Sequence, residues 1–196
     1  MGVAFERLVA EAQACRRCPS MEGRRRVLGA ANGPLTAAIM LVGEAPGRLG
    51  AERTGVPFVG DASGQRLDRL LAVAGWTRAD DVFITNAVLC NPRDARDRNR
   101  PPSAGELATC RTHLEATLTC VQPRLVVALG RRALKALAAI EPHDLQRAAP
   151  GRIVGWNGRW LTWMVHPSPL AGARRAWTLQ CQDWRNLRRA FDAMLR

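Results

Sequence analysis

A few residues in this chain have types and spacings that could do chemistry. Cys15-Arg-Arg-Cys18 is a short ligand-type pair, and Cys90, Cys110, Cys120 and Cys181 supply four more thiols. In a reducing compartment disulfides are disfavoured, so thiols at such spacing point towards a metal centre. The same six side chains could equally serve as small apolar core residues. Two carboxylates sit in glycine-rich loops, Glu44 within Gly43-Glu44-Ala45-Pro46-Gly47 and Asp61 within Gly60-Asp61-Ala62-Ser63-Gly64. A carboxylate can stabilise developing positive charge or orient water; Asp61 could also cap a helix starting near Ser63, and Glu44 could accept from loop amides. Asn86 offers one donor group and one acceptor, suited to reading a ligand edge or to making a turn. His166, in His166-Pro167-Ser168, can donate to growing negative charge. Phe58 could stack on a planar ligand or tuck into the core.

These residues need a scaffold, and the pattern of apolar runs supplies one. Four short runs, at 38–42, 82–85, 125–129 and 161–165, read as buried parallel strands. Helical stretches are expected at 1–14, 63–74, 104–120, 131–140 and 177–195, with Ser103 and Glu106 forming a capping box for the third. The alternation predicts an α/β fold, a three-layer α/β/α sandwich around a short, mostly parallel, four-stranded sheet. The segments 91–102 and 141–152 are polar and broken, and read as surface connections rather than linkers. One domain over 1–196 is expected. Glu44, Asn86, Gly130 and His166 then all follow strand ends, where ligands bind in open parallel sheets.

Charge narrows the partner. The chain carries 29 Lys+Arg against 17 Asp+Glu, a net charge of +12, which suggests a polyanion such as nucleic acid. Lys135 is the sole lysine, so compositional bias towards arginine is the bland alternative. No apolar run reaches the roughly 18 residues of a membrane span, and the N-terminus lacks the plan of a signal peptide. A cytoplasmic, nucleoid-associated protein is expected.

In order, the motifs are Cys15-x-x-Cys18, 22–26, the loop 43–47, 54–60, 61–64, 85–90, Asn99-Arg100-Pro101-Pro102 with Glu106 and Cys110, and His166-Pro167-Ser168. Together they resemble the uracil-DNA glycosylase superfamily in its iron–sulfur branch, families four and five. The resemblance implies a monofunctional, monomeric enzyme that flips uracil out of DNA and hydrolyses its glycosidic bond. It implies catalytic roles for Asp61, Glu44 and His166. Gly43, Ala45, Pro46, Gly47, Phe58 and Asn86 would form the base pocket with His166. Ser168, Leu170, Arg174 and Arg175 would meet DNA, with Leu170 as a wedge although Pro169 replaces the usual bulky residue. Cys15, Cys18, Cys90 and Cys110 would hold a [4Fe–4S] cluster, with zinc as the alternative for four thiolates; the 90-to-110 spacing is lengthened by 94–98. Cys120 is the substitute for Cys110, and Cys181 a core thiol. Glu44 is the family-four feature and Asp61 the family-five one, so the subfamily is mixed. Lys135, on a helix, is not placed for lyase chemistry. The alternatives are a broader glycosylase acting on hypoxanthine or xanthine, and a non-catalytic nucleic-acid-binding module of the same fold.

Overall fold

The computed structural model describes residues 2–173 and 175–196. Strands β1 (Ile39–Gly43), β2 (Val82–Asn86), β3 (Leu125–Leu129), β4 (Val154–Trp156) and β5 (Arg159–Met164) form one sheet in the order β2-β1-β3-β5-β4. All neighbours are parallel except β4, which pairs antiparallel with β5. The sheet therefore has five strands rather than four. The additional strand, β4, is three residues long and contains Gly155, too short to show an alternating pattern in the sequence.

Strands β1, β2 and β3 are buried on both faces, and alternate residues of the sheet feed two different cores. Met40, Val42, Phe83, Val126 and Trp163 pack towards α1 (Gly2–Ala14), α4 (Ala104–Val121) and α5 (Arg131–Ala138). Ile39, Leu41, Ile84, Val127 and Met164 pack towards α3 (Ala62–Ala74) and α6 (Trp177–Met194). This is the expected three-layer sandwich. A further short helix, α2 (Ala51–Thr54), is a single turn that leaves no periodic signature.

Local chemistry explains the helix starts nearest the site. Ser103 accepts from the Glu106 amide at 3.2 Å while the Glu106 carboxylate accepts from the Ser103 amide at 2.7 Å, the capping box foreseen. Arg100 adds a two-pronged ion pair to that carboxylate, and hydrogen bonding from Arg100 holds Glu106 down to about 2. The segment 91–102 is less irregular than its composition suggests. A bridge between Arg93 and Asn99 folds it into a small hairpin, and Arg93 pairs with both Glu52 and Asp97.

Candidate active site

Residues at the ends of β1, β2 and β5 meet at one cavity of about 210 Å³. Gly43 stands opposite Asn86 in the β1–β2 register. A Cβ at Gly43 would overlap Asn86 Oδ1 and lie 2.8 Å from the Phe58 ring, so only glycine lets both side chains meet over this strand end. Asn86 is 2% exposed, and neither Nδ2 nor Oδ1 has a protein partner. Buried polar groups are ordinarily paired, and leaving one unpaired costs about 1–3 kcal/mol. Asn86 thus brings a buried donor and a buried acceptor, both without a protein partner, to the wall of the cavity.

Phe58 and His166 wall the same cavity, their ring centroids 5.7 Å apart at 42°. Phe58 adopts φ 53°, an uncommon conformation for a residue with a side chain. Arg78 secures it by donating to the Pro57 and Phe58 carbonyls, both at 2.8 Å, and the α3 backbone at Gly64 lies so close that a Cβ there would overlap the Phe58 carbonyl. His166 Nδ1 accepts from the Ser168 amide at 3.1 Å, which leaves Nε2 to carry the proton in the neutral ring. Burial pushes the His166 pKa down, against the opposing pull of the Asp61 charge, so the neutral form is favoured.

The two carboxylates sit differently. Asp61 Oδ1 caps α3 by accepting from the Gly64 amide at 2.9 Å. Its Oδ2 faces the glycine loop, where a Cβ at Gly47 would lie 3.1 Å away and one at Gly50 would overlap it. Asp61 also lines the cavity, so capping and facing the site coexist in one side chain. Glu44 lines the cavity too, 3.4 Å from Arg132. Burial raises the Glu44 pKa, and Arg132 pulls it back. Ala45, Pro46 and Gly47 line the cavity, whereas Gly43 lies behind Asn86 and Phe58 and is not part of its wall.

A second, wider cavity of about 860 Å³ adjoins the first, sharing Glu44 and His166. Ser168, Leu170 and Arg175 line it. Leu170 stands on the turn Pro169–Ala173 and is 87% exposed, free to enter another molecule. Arg175 is held by a two-pronged ion pair with Asp183, so much of its charge is engaged within the chain. Arg174 lies outside the described residues.

The four cysteines singled out come from three segments, the loop after α1, the loop after β2 and α4 itself. Cys110 Sγ accepts from the Leu89 amide at 3.4 Å. Burial pushes the Cys90 thiol up to about 12, with Cys110, Cys15 and Cys18 adding to it, and pushes Cys110 up to about 11, with Cys15 and Cys18 adding. Each thiol is therefore within electrostatic reach of the others. Burial also raises Cys15, but hydrogen bonds from Arg17 outweigh it and lower the net value. Cys120 lies ten residues along α4 from Cys110, about 15 Å by helical rise, and Cys181 is buried in the other core. Among the described residues no three His, Cys, Asp or Glu side chains crowd around a point suited to a single metal ion.

Comparison with known proteins decides the lineage. The description "Uracil DNA glycosylase superfamily" matches residues 30–191. A type-5 uracil-DNA glycosylase of Pyrobaculum aerophilum is 38% identical over 150 residues, covering 70% of this chain and 64% of the relative. A type-4 uracil-DNA glycosylase of Sulfurisphaera tokodaii is 33% identical, covering 67% of this chain and 57% of the relative. A type-4 uracil-DNA glycosylase of Thermotoga maritima is 35% identical, covering 80% and 77%. The chain belongs to the uracil DNA glycosylase superfamily. For the first two relatives the match spans less than two thirds of their length.

Within this superfamily site, the structure adds Asn91, which no motif included, and brings Asn99 and Arg100 of the 99–102 motif to the cavity. Asn91 Nδ2 donates to the Pro46 carbonyl at 2.6 Å and to Asn99 Oδ1 at 2.9 Å, tying the 43–47 loop to the segment beside Cys90. The adjacency of Asn91 to Cys90 was the available signal. Asparagine in a polar loop otherwise reads as a turn former.

Proposed function

We propose that this chain is a monofunctional, monomeric uracil-DNA glycosylase, and that the open Asn86 carboxamide carries the assignment. A uracil rotated out of the helix would enter the first cavity and stack on Phe58. Asn86 Nδ2 then donates to uracil O4, and Oδ1 accepts from N3–H. Cytosine presents the reverse pattern at those atoms and leaves both ends of Asn86 mismatched. The C1′–N1 bond breaks with its electron pair leaving on the base, and His166 Nε2–H donates to O2, where negative charge grows. Asp61, with Glu44 second, stabilises the positive charge on the sugar and orients the water that adds to C1′. The water's remaining proton balances the departing base. Lys135 lies on α5 and has no part in this chemistry.

The net charge of +12, the exposed Leu170 and the Ser168 turn support DNA as the partner, and such a role belongs with the nucleoid. Cys15, Cys18, Cys90 and Cys110 would hold a [4Fe–4S] cluster. Cys18, Cys90 and Cys110 pack on one core, and Cys15 interacts electrostatically with Cys90 and Cys110, which suits four thiols that share one group. Bound there, the cluster supplies structural cross-linking of the N-terminal segment to the loop after β2. Arg17 and Arg26 favour the thiolate at Cys15.

The test is incubation with oligonucleotides bearing uracil, hypoxanthine or xanthine, followed by alkali to nick abasic sites. Cleavage at uracil is expected. Cleavage at all three establishes the broader glycosylase instead, and binding without cleavage establishes the non-catalytic module.

A further inference from the structure

The turn at 47–50 carries an apolar side chain that the base pocket does not use. The Gly50 amide donates to the Gly47 carbonyl at 3.2 Å, which places Arg48 and Leu49 at the corners. Leu49 is 58% exposed. A lone exposed leucine is ordinary on a protein surface; the location of this one is not. Gly47, on one side of it, lines the base cavity, and Gly50, on the other, lies so close to Asp61 that a Cβ would stand 2.8 Å from the carboxylate carbon. Leu49 therefore projects outward from the wall that holds Asp61.

The turn is also braced. The Arg48 amide donates to Asn99 Oδ1 at 3.1 Å, that oxygen accepts from Asn91 at 2.9 Å, and Asn91 holds the Pro46 carbonyl. The Arg48 guanidinium lies 3.9 Å from Asp97. A mobile tip would lose entropy on burying its leucine; this one is fixed beforehand. Leu170 projects from the turn after β5, and Leu49 from the loop after β1, with β3 between the two strands in the sheet. The two exposed leucines thus stand on separate walls of the site.

We propose that Leu49 is a second wedge, entering the base stack of duplex DNA beside the target nucleotide while Leu170 enters from the other wall. This rests on the base-excision reading. Extruding a base unstacks its neighbours, and an apolar side chain in the gap keeps the stack from closing again. A single strand has no paired stack to hold open, so the contribution belongs chiefly to duplex substrate.

The experiment compares wild type with Leu49→Ala under single turnover. The same uracil sequence is presented single-stranded and as a duplex, with 2-aminopurine beside the uracil to report unstacking. In Leu49→Ala the duplex-to-single-strand rate ratio is expected to fall about tenfold, a fraction of the unstacking cost. The 2-aminopurine signal of the duplex complex falls with it, and Leu49→Met restores both. An unchanged ratio in Leu49→Ala, or an equal loss on both substrates, overturns the wedge while leaving the glycosylase standing. Wild-type protein that excises from neither substrate overturns the reading beneath it as well.

Discussion

Asp61 concentrates the chemical question at the scale of single residues, because one side chain both caps a helix and faces the cavity. An ionised carboxylate beside the sugar acts on charge that exists only in the transition state, so it lowers the barrier without tightening ground-state binding. Asp61→Asn keeps a capping oxygen and removes the charge. Single-turnover excision by this variant is expected to fall by about ten- to ten-thousand-fold, the span of positioned charged groups, while its melting temperature stays near wild type. Near-normal rate in Asp61→Asn with a large defect in Glu44→Gln would move the role to Glu44. Asn86→Asp should lose uracil activity and gain relative activity on cytosine, because a carboxylate accepts from the cytosine amine and cannot donate to O4; competition between the two oligonucleotides measures it. For His166, the Ser168 amide and the downward shift from burial together predict a neutral ring with its proton on Nε2 at pH 7. Protonation then occurs only on the acid side of the ordinary value of about 6.5. Nitrogen-15 NMR of the ring reads this directly, and an imidazolium at pH 7 would contradict it.

The elements that carry these residues show what a sequence reveals and what it hides. The four apolar runs located β1, β2, β3 and β5 within a residue or two, because strands buried on both faces leave continuous apolar stretches. Asn86 and His166 were legible for the same reason: each follows such a run. The β4 strand and the α2 turn were not legible, being too short to show any period. Nor was the bracing of the 43–47 loop, since Asn91 and Asn99 meet Pro46 only after the 91–102 segment folds back on itself. Phe58 was ambiguous between core and site, and the structure gives it both: 9% exposed, it packs in the core yet lines the cavity. Its placement depends on the contact between α3 and the preceding loop. Gly64→Ala would drive a methyl group into the Phe58 carbonyl. Overpacking of this kind costs about 1–3 kcal/mol. Thermal unfolding should register that loss, and excision should drop with it; Gly155→Ala, where a Cβ meets nothing within 4 Å, is the matched control.

For the whole molecule, the cysteines and the net charge make separate claims. Protein purified without oxygen should be brown, with iron and sulfide in equal amounts, and Cys15→Ala should chiefly lower soluble yield because metal binding is coupled to folding. Colourless protein with stoichiometric zinc would replace the cluster with a single ion. Affinity for an abasic-site duplex should fall steeply with salt. Replacing Arg174 and Arg175 together should flatten the log–log slope by up to about two units. Hydrolytic release of uracil from the cavity at the strand ends can be checked by weighing both products. A duplex with one uracil is incubated with the protein in water enriched in oxygen-18, and the free base and the strand are analysed by mass spectrometry. One free uracil per abasic strand is expected, with the label on the sugar and none on the base. Release of uracil without label on the sugar, or retention of the base on the strand, would contradict it.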